Sequence, residues 1–247
     1  MKTKFALLGA SCALLAGLAS PAYAQDSGVT ISTSFDVVTD YVFRGVSLAD
    51  TAIQPGVELG AGDFYAGVWF STGFGDTSAA AGDEVDLYAG YGFSLSDTVS
   101  ADVGLTYYHY PQGGGLFSTN GGGSGTYEIY GGLAFDTALS PSVYAYYDFT
   151  LEAFTLEAGL GHSVALPDSD ASFDLGLSAG LVDGDGFSYE YGQVSAALSK
   201  AVTDAASVYV GANFTVNSDA ALNFKETLAG NPKDTLLWFG AGVSSSF

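Results

Sequence analysis

From about residue 30 onward the chain repeats short segments in which apolar and polar side chains alternate, and its carboxylates keep to one parity of that alternation. Successive side chains on a β-strand point to opposite faces. In Thr30–Arg44 one face carries Ile31, Thr33, Phe35, Val37, Thr39, Tyr41 and Phe43, and the other carries Ser32, Ser34, Asp36, Val38, Asp40, Val42 and Arg44. The segments from Asp83 to Phe93 and from Val99 to Tyr110 repeat the pattern, as do later ones ending with Thr235–Phe247. Asp36, Asp40, Glu58, Glu84, Asp86, Asp102, Glu128, Asp136, Asp148, Glu157, Asp174 and Glu190 all fall on the polar parity. Two segments alternate less cleanly. Asp63–Ser71 is read with Phe64, Ala66, Val68 and Phe70 outward, and Phe187–Leu198 with a change of phase near Gln193, the signature of a bulge.

Alternation alone fits a soluble antiparallel sandwich as well as a membrane barrel. Composition separates them. The chain holds 27 Asp+Glu against 6 Lys+Arg, and its polar faces are built of Gly, Ser, Asp and Tyr with almost no Lys. Soluble sheet surfaces mix both signs of charge. The connections also alternate in length. Short turns fall at Gly60–Asp63, Leu95–Asp97, Leu139–Ser142, Leu166–Asp170 and Ser199–Ala206. The other connections are Gly45–Thr51, Gly73–Gly82, Pro111–Gly125, Thr150–Ala153, Asp183–Gly186 and Ser218–Lys233, three of them long. Five turns and six loops make twelve strands, each long enough to cross a bilayer when tilted. The expected fold is all-β: a transmembrane antiparallel up-and-down β-barrel of about twelve strands, apolar outside and polar inside.

The first 24 residues read differently. Lys2 and Lys4 precede an apolar run from Phe5 to Ala19, and Ala22-Tyr23-Ala24 forms a small-residue cleavage site before Gln25. This is the pattern of a secretory signal peptide, leaving 25–247 as one barrel domain. Loss of Lys2 and Lys4 takes the six basic residues to four, and four against 27 acids gives a mature charge of −23. The single cysteine, Cys12, leaves with the leader, so no disulfide is expected. Such a charge excludes nucleic-acid binding, which needs clustered Lys and Arg.

At the other end, Leu237, Phe239, Ala241, Val243, Ser245 and Phe247 share one face, and Phe247 is the final residue. An alternating last strand closed by Phe resembles the signal read by the barrel-insertion machinery, with Phe239, Val243 and Phe247 as its apolar positions. Ser245 departs from the usual apolar residue. The stretch Ser34-Phe35-Asp36-Val37-Val38-Thr39-Asp40-Tyr41-Val42-Phe43-Arg44-Gly45-Val46-Ser47 resembles the opening of the TorF family of porins. Phe64-Tyr65-Ala66-Gly67-Val68-Trp69 and Glu84-Val85-Asp86-Leu87-Tyr88-Ala89-Gly90-Tyr91 fit the same family. The resemblance implies a Gram-negative outer-membrane barrel with a transport role.

No catalytic, cofactor or metal set emerges from the residue pattern. His109 and His162 both take the lipid-facing parity, and His162 and Ser163 point to opposite faces, so they form no dyad. Asp183-Gly184-Asp185-Gly186 has carboxylates for Ca²⁺ but not the spacing of an EF-hand, and a tight turn accounts for it equally. The expected function is a narrow channel for passive diffusion of small solutes or ions, set in outer-membrane lipid. Its lining would be the twelve acids above with Arg44, narrowed by Tyr88, Tyr108, Tyr130, Tyr144 and Tyr146. Cations should be preferred. Arg44 is expected near Asp36 and Asp40, with Glu58 as its cross-strand partner. The alternative is a non-conducting barrel serving as surface adhesin or structural anchor.

Overall fold

A computed structural model describes residues 28–74, 83–118, 125–223, 230 and 232–247. The predicted signal peptide, the tip of the Gly73–Gly82 loop, Gly121–Gly123 and part of the Ser218–Lys233 loop lie outside the described residues. No described helix is long and apolar enough to cross a membrane.

Twelve strands close into an antiparallel barrel: β1 (Val29–Val38), β4 (Ala52–Ala61), β5 (Phe64–Gly73), β6 (Glu84–Ser94), β7 (Val99–His109), β8 (Gly125–Phe135), β9 (Ser142–Asp148), β10 (Ala153–Ala165), β11 (Ala171–Gly184), β12 (Phe187–Thr203), β13 (Ala206–Asn217) and β14 (Thr235–Ser246). Each pairs with its neighbours in sequence, and β14 returns to β1 from Ser32↔Ser246 to Val38↔Gly240. Reciprocal backbone bonds finish the seam, Ile31 N donating to Phe247 O at 3.0 Å and Phe247 N to Ile31 O at 2.9 Å. Closure leaves no strand edge unpaired, which a strand must avoid in lipid.

The expected twelve strands and the expected faces are present. Phe35, Leu59, Leu105, Leu177, Val194, Phe214 and Phe239 are exposed on the outside, while Glu58, Thr106, Ser178, Gln193, Asn213 and Trp238 on the alternate positions are buried within the barrel. The start of β1 at Val29 and the end of β14 at Ser246 lie at the end of the barrel that carries the short turns, and the other six connections lie at the opposite end. His109 points outward as expected but is buried. Its ring stacks on Tyr107, and the Pro111–Ser118 segment folds back onto Tyr107, with Phe117 N donating to Tyr107 Oη and the Phe117 and Tyr107 rings 5.0 Å apart.

Two elements depart from the sequence reading. The segment Thr30–Arg44 is not one strand. β1 stops at Val38, and the chain turns into the lumen as a small hairpin, β2 (Tyr41–Phe43) and β3 (Val46–Ala49), before rejoining the wall at β4. The hairpin turns at Arg44 (φ 46) and Gly45 (φ 81). Paired positive φ values match the twist of a tight hairpin, and the second position favours glycine. A Cβ at Gly45 would fall on the Tyr191 side chain, so the tip also needs glycine to approach the far wall.

The second departure is β12. Its register with β11 runs unbroken from Gly184↔Phe187 to Ala171↔Lys200, and the only shift against β13 lies between Ala201 and Thr203. There is no bulge at Gln193. Tyr189, Tyr191, Gln193, Ser195 and Ala197 form one continuous inward face.

Candidate functional site: a lumen crossed by a hairpin

The polar parity becomes the barrel interior. Asp36, Glu58, Glu84, Asp86, Asp102, Glu128, Asp148, Glu157 and Asp174 all sit at inward positions of barrel strands. Four of the expected lining residues fall elsewhere. Glu190 occupies the outward phase of β12 opposite Leu181 and is exposed. Asp136 continues the inward parity of β8 but lies one residue past its end, exposed in a turn. Asp40 is buried in the link from β1 to β2. Arg44 is not on the wall at all, but at the hairpin tip.

The hairpin is built into the barrel by apolar packing at both flanks. Tyr41, Val42 and Ala49 pack with Val38, Ala52, Leu236 and Trp238. Val46 packs with Val182, Tyr189 and Tyr191. Leu236, Trp238, Val182 and Val38 are apolar residues on the inward parity near the loop end of their strands. That breach of the polar-in rule is the signal from which the hairpin could have been inferred. Backbone polar groups at the tip are satisfied by amides from the wall and a loop. Asn217 Nδ2 donates to Gly45 O at 3.1 Å, and Ser47 N donates to Asn223 Oδ1 at 3.0 Å.

Arg44 reaches across to β8. Its Nη1 and Nη2 donate to Glu128 Oε2 and Oε1 at 2.6 and 2.9 Å, a bidentate pair with side-chain exposures of 11% and 3%. Tyr108 Oη donates to Glu128 Oε1 at 2.9 Å. The guanidinium carbon lies 4.7 Å from the Phe43 ring centroid and 4.2 Å from that of Tyr146. The expected partners Asp36, Asp40 and Glu58 are not the ones used. The hairpin turn carries the residue off the wall and aims it at a strand 84 positions away.

Other carboxylates divide into two kinds. Asp148 accepts from Thr150 N and Leu151 N at 2.8 and 2.7 Å and so holds the β9–β10 turn. Asp174 accepts from Ser163 Oγ and Ser172 Oγ at 2.6 and 3.2 Å. By contrast Asp102, Glu157 and Asp36 each receive a phenol, from Tyr65, Tyr191 and Tyr209. Among the described residues both oxygens of Asp86 and one each of Glu84 and Glu58 are buried with no hydrogen-bond partner.

Of the tyrosines expected to narrow the lumen, Tyr108 and Tyr146 stand at the Glu128–Arg44 pair. Tyr88, Tyr65, Tyr130 and Tyr144 lie along the wall with their rings over Gly67, Gly90, Gly104 and Gly132, where any Cβ would collide with them. These wall glycines leave room for large inward side chains to lie flat.

A closed twelve-stranded antiparallel barrel with an apolar exterior, a polar lumen and an inward-folded segment has the architecture of a transmembrane β-barrel. The family model described as "Bacterial protein of unknown function (Gcw_chp)" matches residues 22–213, and the chain belongs to that family. Among solved structures it is similar to the KdgM porin, at 12% identity over 88% of this chain and 99% of that one, with a TM-score of 0.54. A KdgM porin in complex with disordered oligogalacturonate matches with the same values. The NanC porin matches at 12% identity over 87% and 98%, TM-score 0.54. These likenesses establish the shared fold. No curated protein sequence matches the chain.

Proposed function

We propose that the chain is an outer-membrane channel for passive diffusion of small solutes, preferring cations. The observation that carries the reading is the lumen wall: nine inward carboxylates, with Arg44 as the base that enters the lumen among the described residues. A narrow bore with low-dielectric walls concentrates counter-ions of the opposite sign. The solved KdgM porin binds an oligogalacturonate, a polyanion, and an acidic wall repels such a cargo. The shared fold therefore goes with a different class of solute. The leader-like pattern of residues 1–24, outward Phe239 and Val243 on the closing strand with Phe247 just past its end, and the likeness of Ser34–Ser47 to TorF porins support export and insertion into a Gram-negative outer membrane.

One observation favours a second reading. The hairpin fills the lumen at its level, and Asp86, Thr215 and Asn213 beside it are each 1% exposed. A barrel so filled could be a non-conducting anchor or adhesin. The mature protein in planar bilayers decides. Discrete conductance with a reversal potential toward that of the cation in a KCl gradient is expected; no conductance favours the anchor, and anion preference overturns the cation reading.

A further inference from the structure

We infer that the Pro111–Ser118 segment is a membrane anchor, which lays Leu116 and Phe117 among the lipid acyl chains around the loop end of the barrel. The inference rests on the exterior being the lipid-facing surface and does not depend on whether the lumen conducts. Its starting point is a side chain with the wrong exposure. Tyr107 continues the outward parity of Val103 and Leu105 on β7, yet it is 3% exposed where Leu105 is 45%. The cover includes the Pro111–Ser118 segment, which leaves the end of β7 and returns along the outside of the wall.

The segment is fastened twice. At its base Gln112 Nε2 donates to Asp83 Oδ2 at 2.8 Å, and Asp83 N donates to Gln112 Oε1 at 3.1 Å. At its tip Phe117 N donates to Tyr107 Oη at 2.6 Å. The Phe117 ring lies 5.0 Å from that of Tyr107, which lies 4.6 Å from that of Tyr127. The Tyr107 ring sits over Gly125 of β8, where any Cβ would meet it. Phe117 has φ 62, a left-handed conformation that a bulky residue keeps only where its surroundings hold it.

The level of the tip points to lipid. Tyr107 pairs with Tyr127, and Leu105 with Ile129. The two pairs stand two residues apart, about 7 Å along the strands. Leu105 and Ile129 belong to the exposed apolar band, so Phe117 returns to the edge of that band instead of standing clear in water. Leu116 and Phe117 then turn away from the protein, 54% and 59% exposed. The apolar surface continues beside them. Phe149 N donates to Tyr127 O at 2.8 Å, and Phe149, Tyr147 and Leu151 are all exposed. No Asp, Glu, Lys or Arg lies between Tyr110 and Ser118. The β11–β12 rim is the contrast, with Asp183, Asp185 and Glu190 exposed. Hydrocarbon asks for apolar area and no polar complement, and aromatic side chains gather where hydrocarbon meets headgroups.

Site-directed labelling tests this. The single cysteine, Cys12, falls in the predicted leader, so one cysteine at a time can be introduced into the mature chain and labelled with a nitroxide. Leu116→Cys is compared with Ile129→Cys on the band and Asp185→Cys on a loop, each in phosphatidylcholine vesicles. Collisions with oxygen report hydrocarbon, and collisions with a neutral nickel chelate report water. The logarithm of the oxygen-to-nickel ratio should be positive at residue 116, as at 129, and negative at 185. A negative value at 116 overturns the inference. So does a label reached by neither reagent, which would set this surface against protein. A negative value at 129 overturns the lipid-facing exterior and the inference with it. Leu116→Trp gives a second reading that needs no label. Trp69 and Trp238 take inward positions, so the fluorescence added at 116 should be quenched by phosphatidylcholine brominated on its acyl chains. Added fluorescence that the bromines leave unquenched also overturns the inference.

Discussion

Two arcs of the lumen wall face the hairpin, and they are made of different chemistry. From β6 to β9 the inward face carries the carboxylates and phenols Glu84, Asp86, Tyr108, Glu128, Tyr146 and Asp148. From β12 to β14 they are neutral: Gln193, Ser195, Asn213, Thr215, Asn217 and Trp238. The neutral arc is tied together within itself. Thr215 Oγ1 donates to Gln193 Oε1 at 3.0 Å, and Trp238 Nε1 donates to Thr215 Oγ1 at 3.1 Å. It meets the hairpin through apolar packing, of Leu236 and Trp238 against Tyr41 and Val42 and of Tyr189 and Tyr191 against Val46, and through a hydrogen bond to backbone at Gly45 O. The acidic arc meets the hairpin through charge, at Arg44, and keeps further oxygens directed at no protein donor. One arc thus anchors the hairpin, while the other latches it and carries the negative charge on which the proposed cation preference rests. The difference teaches that position and charge are separable here, because apolar packing and short-range hydrogen bonds to backbone fix geometry without adding charge.

The largest effect should come from breaking the latch. Removing one partner of a buried ion pair leaves the other charge uncompensated, at a cost of about 3–5 kcal/mol. Glu128→Ala strands the Arg44 guanidinium in the lumen, so the hairpin should leave its seat, with a lower unfolding midpoint in urea and larger single-channel conductance. Arg44→Ala combined with Glu128→Ala removes both charges and should recover much of the lost stability. A double variant as unstable as Glu128→Ala alone would mean the pair is not what holds the tip.

A smaller effect is expected on the neutral arc. Asn217→Ala deletes the bond to Gly45 O, worth about 1 kcal/mol. The hairpin should loosen, seen as added current noise and a modestly lower urea midpoint. The reversal potential in a KCl gradient should not move, because no charge has changed. A shift in selectivity would break the division between the two arcs.

How far this was legible in the sequence follows from what alternation encodes. Period-two patterning fixes the face of each residue relative to its neighbours, so strand number, the lipid face and nine of the inward acids could be read directly. It does not say whether an alternating segment stays in the wall. Tyr41, Val42 and Phe43 continue the alternation of β1 while belonging to the hairpin, because a hairpin lodged between two walls also has two faces. Reading Glu190 inward puts Tyr189 and Tyr191 on the opposite face, and Gln193 then requires a change of phase. The structure shows the simpler pattern, with both tyrosines inward beside Val46. Asp136 shows that parity means nothing one residue beyond a strand end. The pairing of Arg44 with Glu128 carried no sequence signal, since it depends on where a turn aims a side chain across the barrel.

The smallest expected effect is at Glu190, and it sharpens the comparison by taking an acid from neither arc. Glu190 shares its residue type with Glu128 and Glu84, and a count of charges treats the three alike. Its position does not: it opposes Leu181 on the outer face and is exposed. A charge outside the barrel and near the loop end is screened by solvent ions over about 10 Å at 0.1 M salt, and the wall stands between it and the permeating solute. Glu190→Gln should therefore leave the reversal potential unchanged and stability within about 0.5 kcal/mol. Glu84→Gln, a chemically identical change on the inward face of β6, should lower cation preference under the same salt gradient. Equal shifts from the two variants would mean that net charge, and not the facing of the side chain, sets selectivity, and the assignment of the acidic arc as the selective wall would fail.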